Sequence, residues 1–350
     1  MIVKNRDTLI SHGDREGRAL ALEVLEAGLV ASDPYANTLK LLRIEGDMRT
    51  GGGTLHVGGD PSVDVSGYGD EAIDLRQIEH IYVIGAGKAV QRQALALEDV
   101  LGDRLTDGAI VVKQGEGNYL RRISVTEGAH PVPDEQSVMG AQKLVEIADR
   151  AGPNDLVITV FSDGASSLCC LPAPGLTLED VRQVYFLAIQ YGSQGVIHQA
   201  MRYLSAVKAG RLMLRVHPAR SINLIMQVGL FPRWHGILNT GGSFAPSWPP
   251  PPQRMPEAVH ALQKQPWWDE LSPPLRGVLE SGVEPYEVPP LEAFRTMQAS
   301  YWQPIDLYQM VEGARARAEE LGLRGVILSS WLTAPSSAAS NVLTQIAYEC

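Results

Sequence analysis

Cysteine is scarce in this sequence, with three in 350 residues. Cys169 and Cys170 are adjacent and the third is Cys350, so they do not form a disulfide framework. Neither the cysteines nor the eight scattered histidines have the spacing of a metal-ligand set. No apolar run reaches the roughly 18 residues that a membrane helix needs, and no basic-then-apolar leader is visible. We therefore expect a protein of the reducing cytoplasm that has no membrane partner.

Positive charge is also in short supply. Lys and Arg number 30 against 40 Asp and Glu, which gives a net charge of -10. This balance excludes a non-specific nucleic-acid binder but allows a local positive pocket for a small anionic substrate. Hydrophobic residues make up 45% of the chain, as in globular proteins, and the length allows two domains. Homo- or hetero-oligomers both remain open.

The most informative segment is residues 81–89, Ile-Tyr-Val-Ile-Gly-Ala-Gly-Lys-Ala. It predicts a buried parallel strand, a glycine turn and the start of a helix over 89–101. Gly85 and Gly87 allow the backbone to approach a ligand or to turn tightly, and the helix start and Lys88 both favour an anion. The alternative is a structural turn with a solvated lysine. The segment is neither a Walker A loop nor a complete dinucleotide-binding fingerprint.

A second unit of the same kind follows. Residues 156–161 predict another buried strand, and residues 162–167, Ser-Asp-Gly-Ala-Ser-Ser, form a small, hydroxyl-rich loop. Because ligands collect at the carboxyl ends of parallel strands, the two loops predict one shared cleft. The alternative for the second loop is ordinary helix capping by Ser or Asp.

Strand and helix patterns alternate along the chain, which predicts an α/β fold with a Rossmann-like parallel sheet covered by helices. Strands are predicted near 81–84, 108–113, 156–161, 222–228 and 325–329, and helices near 89–101, 134–151 and 177–191. Four consecutive prolines at 249–252 exclude a helix interior or a central strand there. We predict an α/β domain over 1–245, a Pro-rich linker over 246–256, and a second, truncated α/β domain over 257–350.

Four segments, taken in order, resemble the glycerate 2-kinase family, whose members have also been labelled hydroxypyruvate reductases. They are Val-Ile-Gly-Ala-Gly-Lys-Ala at 83–89, Glu-Gly-Ala-His-Pro-Val-Pro-Asp at 127–134, Ser-Asp-Gly-Ala-Ser-Ser-Leu at 162–168 and Leu-Ser-Ala-Val-Lys-Ala-Gly-Arg-Leu at 204–212. The resemblance extends roughly from residue 15 to the end. It implies ATP-dependent phosphorylation of a small hydroxy acid, with Mg²⁺, in a cleft between two α/β domains.

The resemblance also implies residue roles. Lys88 matches the lysine that meets substrate and phosphate charge, and Lys208 with Arg211 matches the family's basic pair. The alternative for that pair is two solvated surface cations. His130 matches the family's histidine, and a structural hydrogen bond in a turn is its alternative.

A phosphate-binding role is implied for small residues of the two loops, which are Gly85, Gly87, Ser162, Gly164 and Ser166. The third of the quoted segments departs from the family at Asp163, where the family has glycine. A carboxylate there would repel a phosphate or bind a metal. Gln227 stands where the family has a metal-binding acid, and family members continue for about another domain beyond the position of Cys350.

These departures keep other functions open. The chain is either a glycerate-like kinase or a catalytically degenerate member that serves as an anion-binding or interaction subunit. Six tryptophans in the diverged half favour an interface slightly, with ordinary packing as their alternative: Trp234, Trp248, Trp267, Trp268, Trp302 and Trp331. An NAD(P)-dependent hydroxypyruvate reductase rests on Gly85 and Gly87 alone.

Overall fold

The computed structural model describes most of the chain: residues 2–46, 52–58, 71–193, 195–226, 255–281, 287–305, 307–330, 332 and 336–349. The chain forms two compact units. The larger is Pro34–Pro304, and the smaller combines Met1–Asp33 with Ile305–Cys350.

The described strands, in chain order, are β1 (Leu42–Glu45), β2 (Thr54–Val57), β3 (Glu71–Asp74), β4 (Ile81–Ala86), β5 (Leu105–Lys113), β6 (Ser124–Gly128), β7 (Leu156–Ser162), β8 (Arg220–Met226) and β9 (Ala299–Trp302). The described helices are α1 (Arg6–Leu9), α2 (Arg15–Ala31), α3 (Pro34–Leu41), α4 (Val90–Leu101), α5 (Glu135–Arg150), α6 (Ala165–Leu168), α7 (Leu178–Gln190), α8 (Gly195–Leu204), α9 (Arg211–Val216), α10 (Met255–Gln263), α11 (Pro273–Ser281), α12 (Leu307–Glu320) and α13 (Ser336–Glu349).

A six-stranded parallel sheet dominates the larger unit, so the predicted α/β fold is confirmed. Its strand order is β6-β5-β4-β7-β8-β9, and every neighbouring pair is parallel. This is the strand order of doubly wound dinucleotide-binding sheets, which reverses direction between the first strand and the fourth. The reversal here lies between β4 and β7. A crevice at their carboxyl ends is the place where such sheets bind ligands.

Every residue of β4 and β7 is buried, as expected for central parallel strands. Tyr82 and Ile84 pack on one face of the sheet with the apolar side chains of α5 and α9. Ile81 and Val83 pack on the other face with α4 and the small antiparallel sheet β1-β2-β3. The alternation along β4 therefore supplies both cores.

A third core of the larger unit lies among α7, α8, α10 and α11. Trp267 is fully buried there, and its indole N–H donates to Ser193 Oγ at 2.8 Å. Trp268 and Trp302 are buried as well. These three tryptophans therefore have packing roles and do not support an interface. Trp234, Trp248 and Trp331 lie outside the described residues.

Strand β9 bears on the predicted domain division. It pairs with β8, so residues after the proline run complete the sheet of the larger unit. Most of the predicted 246–256 linker lies outside the described residues, and the division at that point stays a prediction. The strand predicted at 325–329 is wrong, because residues 325–329 form neither strand nor helix.

The smaller unit is built on two helices that cross closely. A Cβ on Gly28 of α2 would lie 2.8 Å from the carbonyl oxygen of Met310, and one on Gly313 of α12 would lie 2.4 Å from Ala31 Cβ. The two glycines therefore let the helices touch, and an Arg317–Glu23 ion pair joins them. Among the described residues, no helix combines the length and apolar character needed to cross a membrane.

The contact between β4 and β7 gives a stability test. A Cβ on Gly85 would lie 1.9 Å from the carbonyl oxygen of Val160, so Gly85→Ala must push two central strands apart. We expect a loss of about 3 kcal/mol in the free energy of unfolding, measured by urea denaturation. Gly277→Ala is the control, because Gly277 lies in a helix with nothing within 4 Å of its Cβ position. The control should gain about 0.5–1 kcal/mol. Equal effects from both variants would contradict this packing.

Candidate functional site: the cleft at the switch point

The turn after β4 is held by the end of β7. The amide of Ala89 donates to Ser162 Oγ at 3.1 Å, and the amide of Lys88 donates to the carbonyl of Asp163 at 2.9 Å. Ser162 thus caps the start of α4 from a different strand. The predicted proximity of Lys88 and Ser162 is observed.

Gly87 makes this contact possible. Its φ is +144°, and a Cβ there would lie 2.1 Å from Ser162 Oγ. The space that the missing side chains of Gly85 and Gly87 create is therefore filled by protein atoms of β7. Ligand contacts by these two glycines stay predictions, and the amides of Lys88 and Ala89 are already used.

Lys88, His130 and Gly164 come together beside this contact. Gly164 has φ +94°, and a Cβ on it would lie 3.1 Å from Lys88 Cγ and 3.4 Å from His130 Cδ2. Lys88 is exposed, so its ammonium is accessible to a solute, whereas His130 is half-buried. Gly164 therefore lets a lysine from β4 and a histidine from the loop after β6 pack over the β7 loop.

A second lysine, Lys113, also affects the pKa of His130. Burial, followed by the positive charges of Lys88 and Lys113, lowers the pKa of His130 below its usual range. Lys113 ends β5, beside β4 in the sheet. We call Lys88, Lys113, His130 and Gly164 the Lys88 cluster. With His130 neutral, its two lysines favour a small anion.

Two carboxylates, Glu116 and Glu127, lie near the lysines of the cluster. Burial raises the pKa of Glu116, whose charge also interacts with Lys113, Glu127 and Lys88. Glu127 has a structural task, because its two oxygens accept the amides of Gly115 and Gly117 at 2.9 and 2.8 Å. The loop after β5 is therefore tied to β6. The sequence interpretation did not assign Lys113 or Glu116 to the site, although the carboxyl-edge rule places Lys113 there.

Asp134 fixes the segment that carries His130. It caps α5 as predicted: its side chain accepts the amide of Ser137 at 2.8 Å, and Ser137 answers with a reciprocal bond. Burial opposes ionisation of Asp134, but hydrogen bonds from the amides of Ser137 and Ala129 outweigh it and lower its pKa. The peptide bond between His130 and Pro131 is cis. The His-Pro-Val-Pro-Asp motif therefore forms a defined turn that ends in a helix cap.

Ser166 faces into the protein. Tyr185 donates its hydroxyl to the Ser166 carbonyl at 2.6 Å, so the Ser166 hydroxyl, 2.7 Å away, donates to Tyr185. Burial raises the pKa of Tyr185, which keeps it a donor. This tyrosine was not found from the sequence, because it lies on α7 and no spacing links it to the loop. A phosphate contact by Ser166 stays a prediction.

Lys208 of the basic pair is buried, and Arg211 is half-buried. Lys208 is 1% exposed, and its Nζ donates to the carbonyls of Ala165 and Cys169 at 3.0 and 2.8 Å. Arg211 donates to the carbonyls of Arg202, Lys208 and Glu287. The interpretation as a solvated surface cation is wrong for Lys208, and Arg211 uses its guanidinium to bind backbone carbonyls. Two of the three ammonium donors of Lys208 are used, and because the side chain is 1% exposed, a direct ligand contact by Lys208 would require the residues around it to move.

Among the described residues, no group of three close metal-ligating side chains lies at the cleft. Their group of three side chains with ligand atoms within 4.8 Å of one another is Glu79, His80 and Asp155, at the amino edge of the sheet and opposite the Lys88 cluster. Asp163 does not belong to it, and its metal-binding role stays a prediction. Gln227 lies outside the described residues.

Removal of one lysine tests the cluster directly. Lys88→Ala should raise the pKa of His130, because a positive charge that opposes protonation is lost. The measurement is an NMR titration of the histidine ring signals. Lys40→Ala, which removes an exposed lysine from α3, is the control and should leave the His130 titration unchanged. An unchanged His130 pKa in Lys88→Ala would contradict an electrostatic interaction between the two residues.

Comparison with known proteins agrees with the fold and the motifs. A family model described as "Domain of unknown function (DUF4147)" matches residues 20–227. The glycerate 2-kinase of Pyrococcus horikoshii is 31% identical over 212 residues, which are 60% of this chain and 43% of that protein. A protein of Agrobacterium vitis with a provisional hydroxypyruvate reductase name is 39% identical over 145 residues, which are 41% of this chain and 38% of its own length.

A solved structure of a Pyrococcus horikoshii protein is also similar, with a TM-score of 0.65 and 27% identity over 88% of this chain and 64% of that one. The chain spans less than half the length of the two curated relatives described above. The family model nevertheless matches well over half of its residues. The chain therefore belongs to the DUF4147 family, and its resemblance to the glycerate 2-kinase family is confirmed.

Proposed function

We propose that this chain binds a small hydroxy acid such as glycerate at the Lys88 cluster and serves its phosphorylation by ATP. The observation that carries the proposal is the meeting of Lys88, His130 and Gly164 at the switch point of the sheet. A relative named glycerate 2-kinase supports the choice of substrate class.

Lys88 has the central role in this proposal. Its side chain is exposed while its backbone is fixed by the bond from its amide to the Asp163 carbonyl. A lysine whose backbone is fixed and whose ammonium is mobile suits a carboxylate or a phosphoryl group. Lys113 adds charge from the neighbouring strand, and neutral His130 can exchange a hydrogen bond with a substrate hydroxyl. Phosphoryl transfer depends mainly on such positioning and charge.

A non-catalytic, anion-binding member of the family is the second candidate. It is supported by the two lysines of the Lys88 cluster, whose positive charges favour a bound anion without a metal ion. The same cluster would then hold an anion without transferring a phosphoryl group. The tryptophan argument for an interaction subunit is weakened, because Trp267, Trp268 and Trp302 are buried.

A nicotinamide reductase is disfavoured by the packing of the glycine turn. In dinucleotide-binding sheets the missing side chain of the second glycine leaves room for the pyrophosphate. Here Ser162 fills that room beside Gly87. NADH should therefore fail to bind, which a fluorescence titration checks.

Lys88→Ala tests the proposed function. With glycerate, ATP and Mg²⁺ in a coupled assay, turnover should fall about 100-fold or more, because removing one preorganised charge costs that much at a reacting centre. Glycerate binding, measured by calorimetry, should weaken in parallel. The free energy of unfolding should stay within about 0.5 kcal/mol of the wild type, since the side chain is exposed.

Lys40→Ala is the matched control, and its turnover should equal that of the wild type. Wild-type turnover in Lys88→Ala would overturn the role of Lys88. Glycerate binding without turnover in the wild type would select the non-catalytic candidate.

A further inference from the structure

Lys208 is an unusual lysine because its ammonium is enclosed and, within the described part of the chain, hydrogen-bonds only to backbone carbonyls. The side chain is 1% exposed, and the hydrogen bonds of Nζ go to the carbonyls of Ala165 and Cys169. Burial lowers its pKa, opposed by the nearby Cys169 and Cys170 thiols. A fully buried cation is costly, so the hydrogen bonds of its ammonium must offset that cost.

The two carbonyls belong to the ends of one short helix. Ala165 begins α6, and Cys169 is the residue that ends it. The Ala165 carbonyl also accepts the Cys169 amide at 3.0 Å, while the Cys169 carbonyl is one of the groups that a helix end leaves without a helical partner. The ammonium therefore clamps the whole turn and caps its negative end.

Helix α6 is continuous with the loop of the Lys88 cluster. The amides of Ser167 and Leu168 both donate to the Gly164 carbonyl, at 3.2 and 3.1 Å. Just before it, Ser162 and Asp163 bind the amides of Ala89 and Lys88. A shift of α6 would therefore displace Gly164 and weaken the hydrogen bond that fixes the Lys88 backbone.

The backbone that carries Lys208 is itself held in place. Ser205 Oγ accepts the Lys208 amide at 3.3 Å, and the Arg211 side chain donates to the Lys208 carbonyl at 3.2 Å. Ala209 has φ +55°, in the region that only glycine adopts freely. This strained turn directs the lysine inward.

We propose that Lys208 is a positioning residue: its buried ammonium clamps α6 and so fixes Gly164 beside Lys88 and His130. This replaces the ligand contact that the family resemblance implied for Lys208. The inference rests on the proposed function for its ligand, but the clamp itself is independent of any ligand.

Lys208→Met tests the clamp, because methionine fills a similar volume and donates nothing. Amide hydrogen exchange in the full chain, read by mass spectrometry, should speed up about tenfold or more over 163–170 and at 88–89. The control is Lys143→Met, which removes a half-buried lysine whose Nζ donates to Thr126 Oγ1. Exchange over 163–170 should stay at the wild-type rate in the control.

Binding of glycerate and of inorganic phosphate separates positioning from contact. Lys208→Met should weaken both, yet the salt dependence of the dissociation constant should stay that of the wild type, because Lys88 still supplies the charge. Exchange at the wild-type rate would overturn the proposal. If Lys208→Met loses ligand binding while its exchange rates stay unchanged, Lys208 contacts the ligand directly, and this result would also overturn the proposal.

If Lys208→Met does not fold, Lys208→Gln replaces it. Its amide can reach at most one carbonyl, so exchange should rise less but over the same segment, and wild-type exchange would again overturn the clamp. If the wild type binds neither glycerate nor phosphate, the proposed function fails while the exchange result still decides the clamp.

Discussion

The contact between Gly87 and Ser162 is the constraint on which the cleft depends. A Cβ at Gly87 would lie 2.1 Å from Ser162 Oγ, and that oxygen accepts the amide of Ala89 at 3.1 Å. Strands β4 and β7, the start of α4 and the loops that follow the two strands therefore all meet at this contact. Because parallel strands present their carboxyl ends at one edge, this contact also fixes where Lys88 emerges.

The site joins mobile and fixed charges. Lys88 is exposed on a fixed base, Lys113 comes from the neighbouring strand, and the pKa of His130 is lowered by burial and by both lysines. The buried ammonium of Lys208 supports the other side through the carbonyls of α6. An acidic protein thus brings two lysines and a histidine together at one edge of its sheet, which bulk charge alone would not indicate.

Much of the fold could be predicted from the sequence. The strands around 81–84 and 156–161 are unbroken apolar runs, and burial on both faces explains that pattern. The prediction of a strand at 325–329 was wrong because a short apolar run carries no information on strand pairing. The inward direction of Lys208 could not be predicted, since spacing does not distinguish a clamp from a surface cation. The filling of the glycine turn by Ser162 depends on contacts distant in sequence.

The most direct test of this account is a crystal structure of the protein grown with glycerate. The account predicts density for the acid at the carboxyl ends of β4 and β7, within hydrogen-bonding distance of Lys88 Nζ and beside Gly164. Lys208 Nζ should remain on the carbonyls of Ala165 and Cys169. Glycerate bound elsewhere, or bound to Lys208 with those carbonyls released, would contradict it.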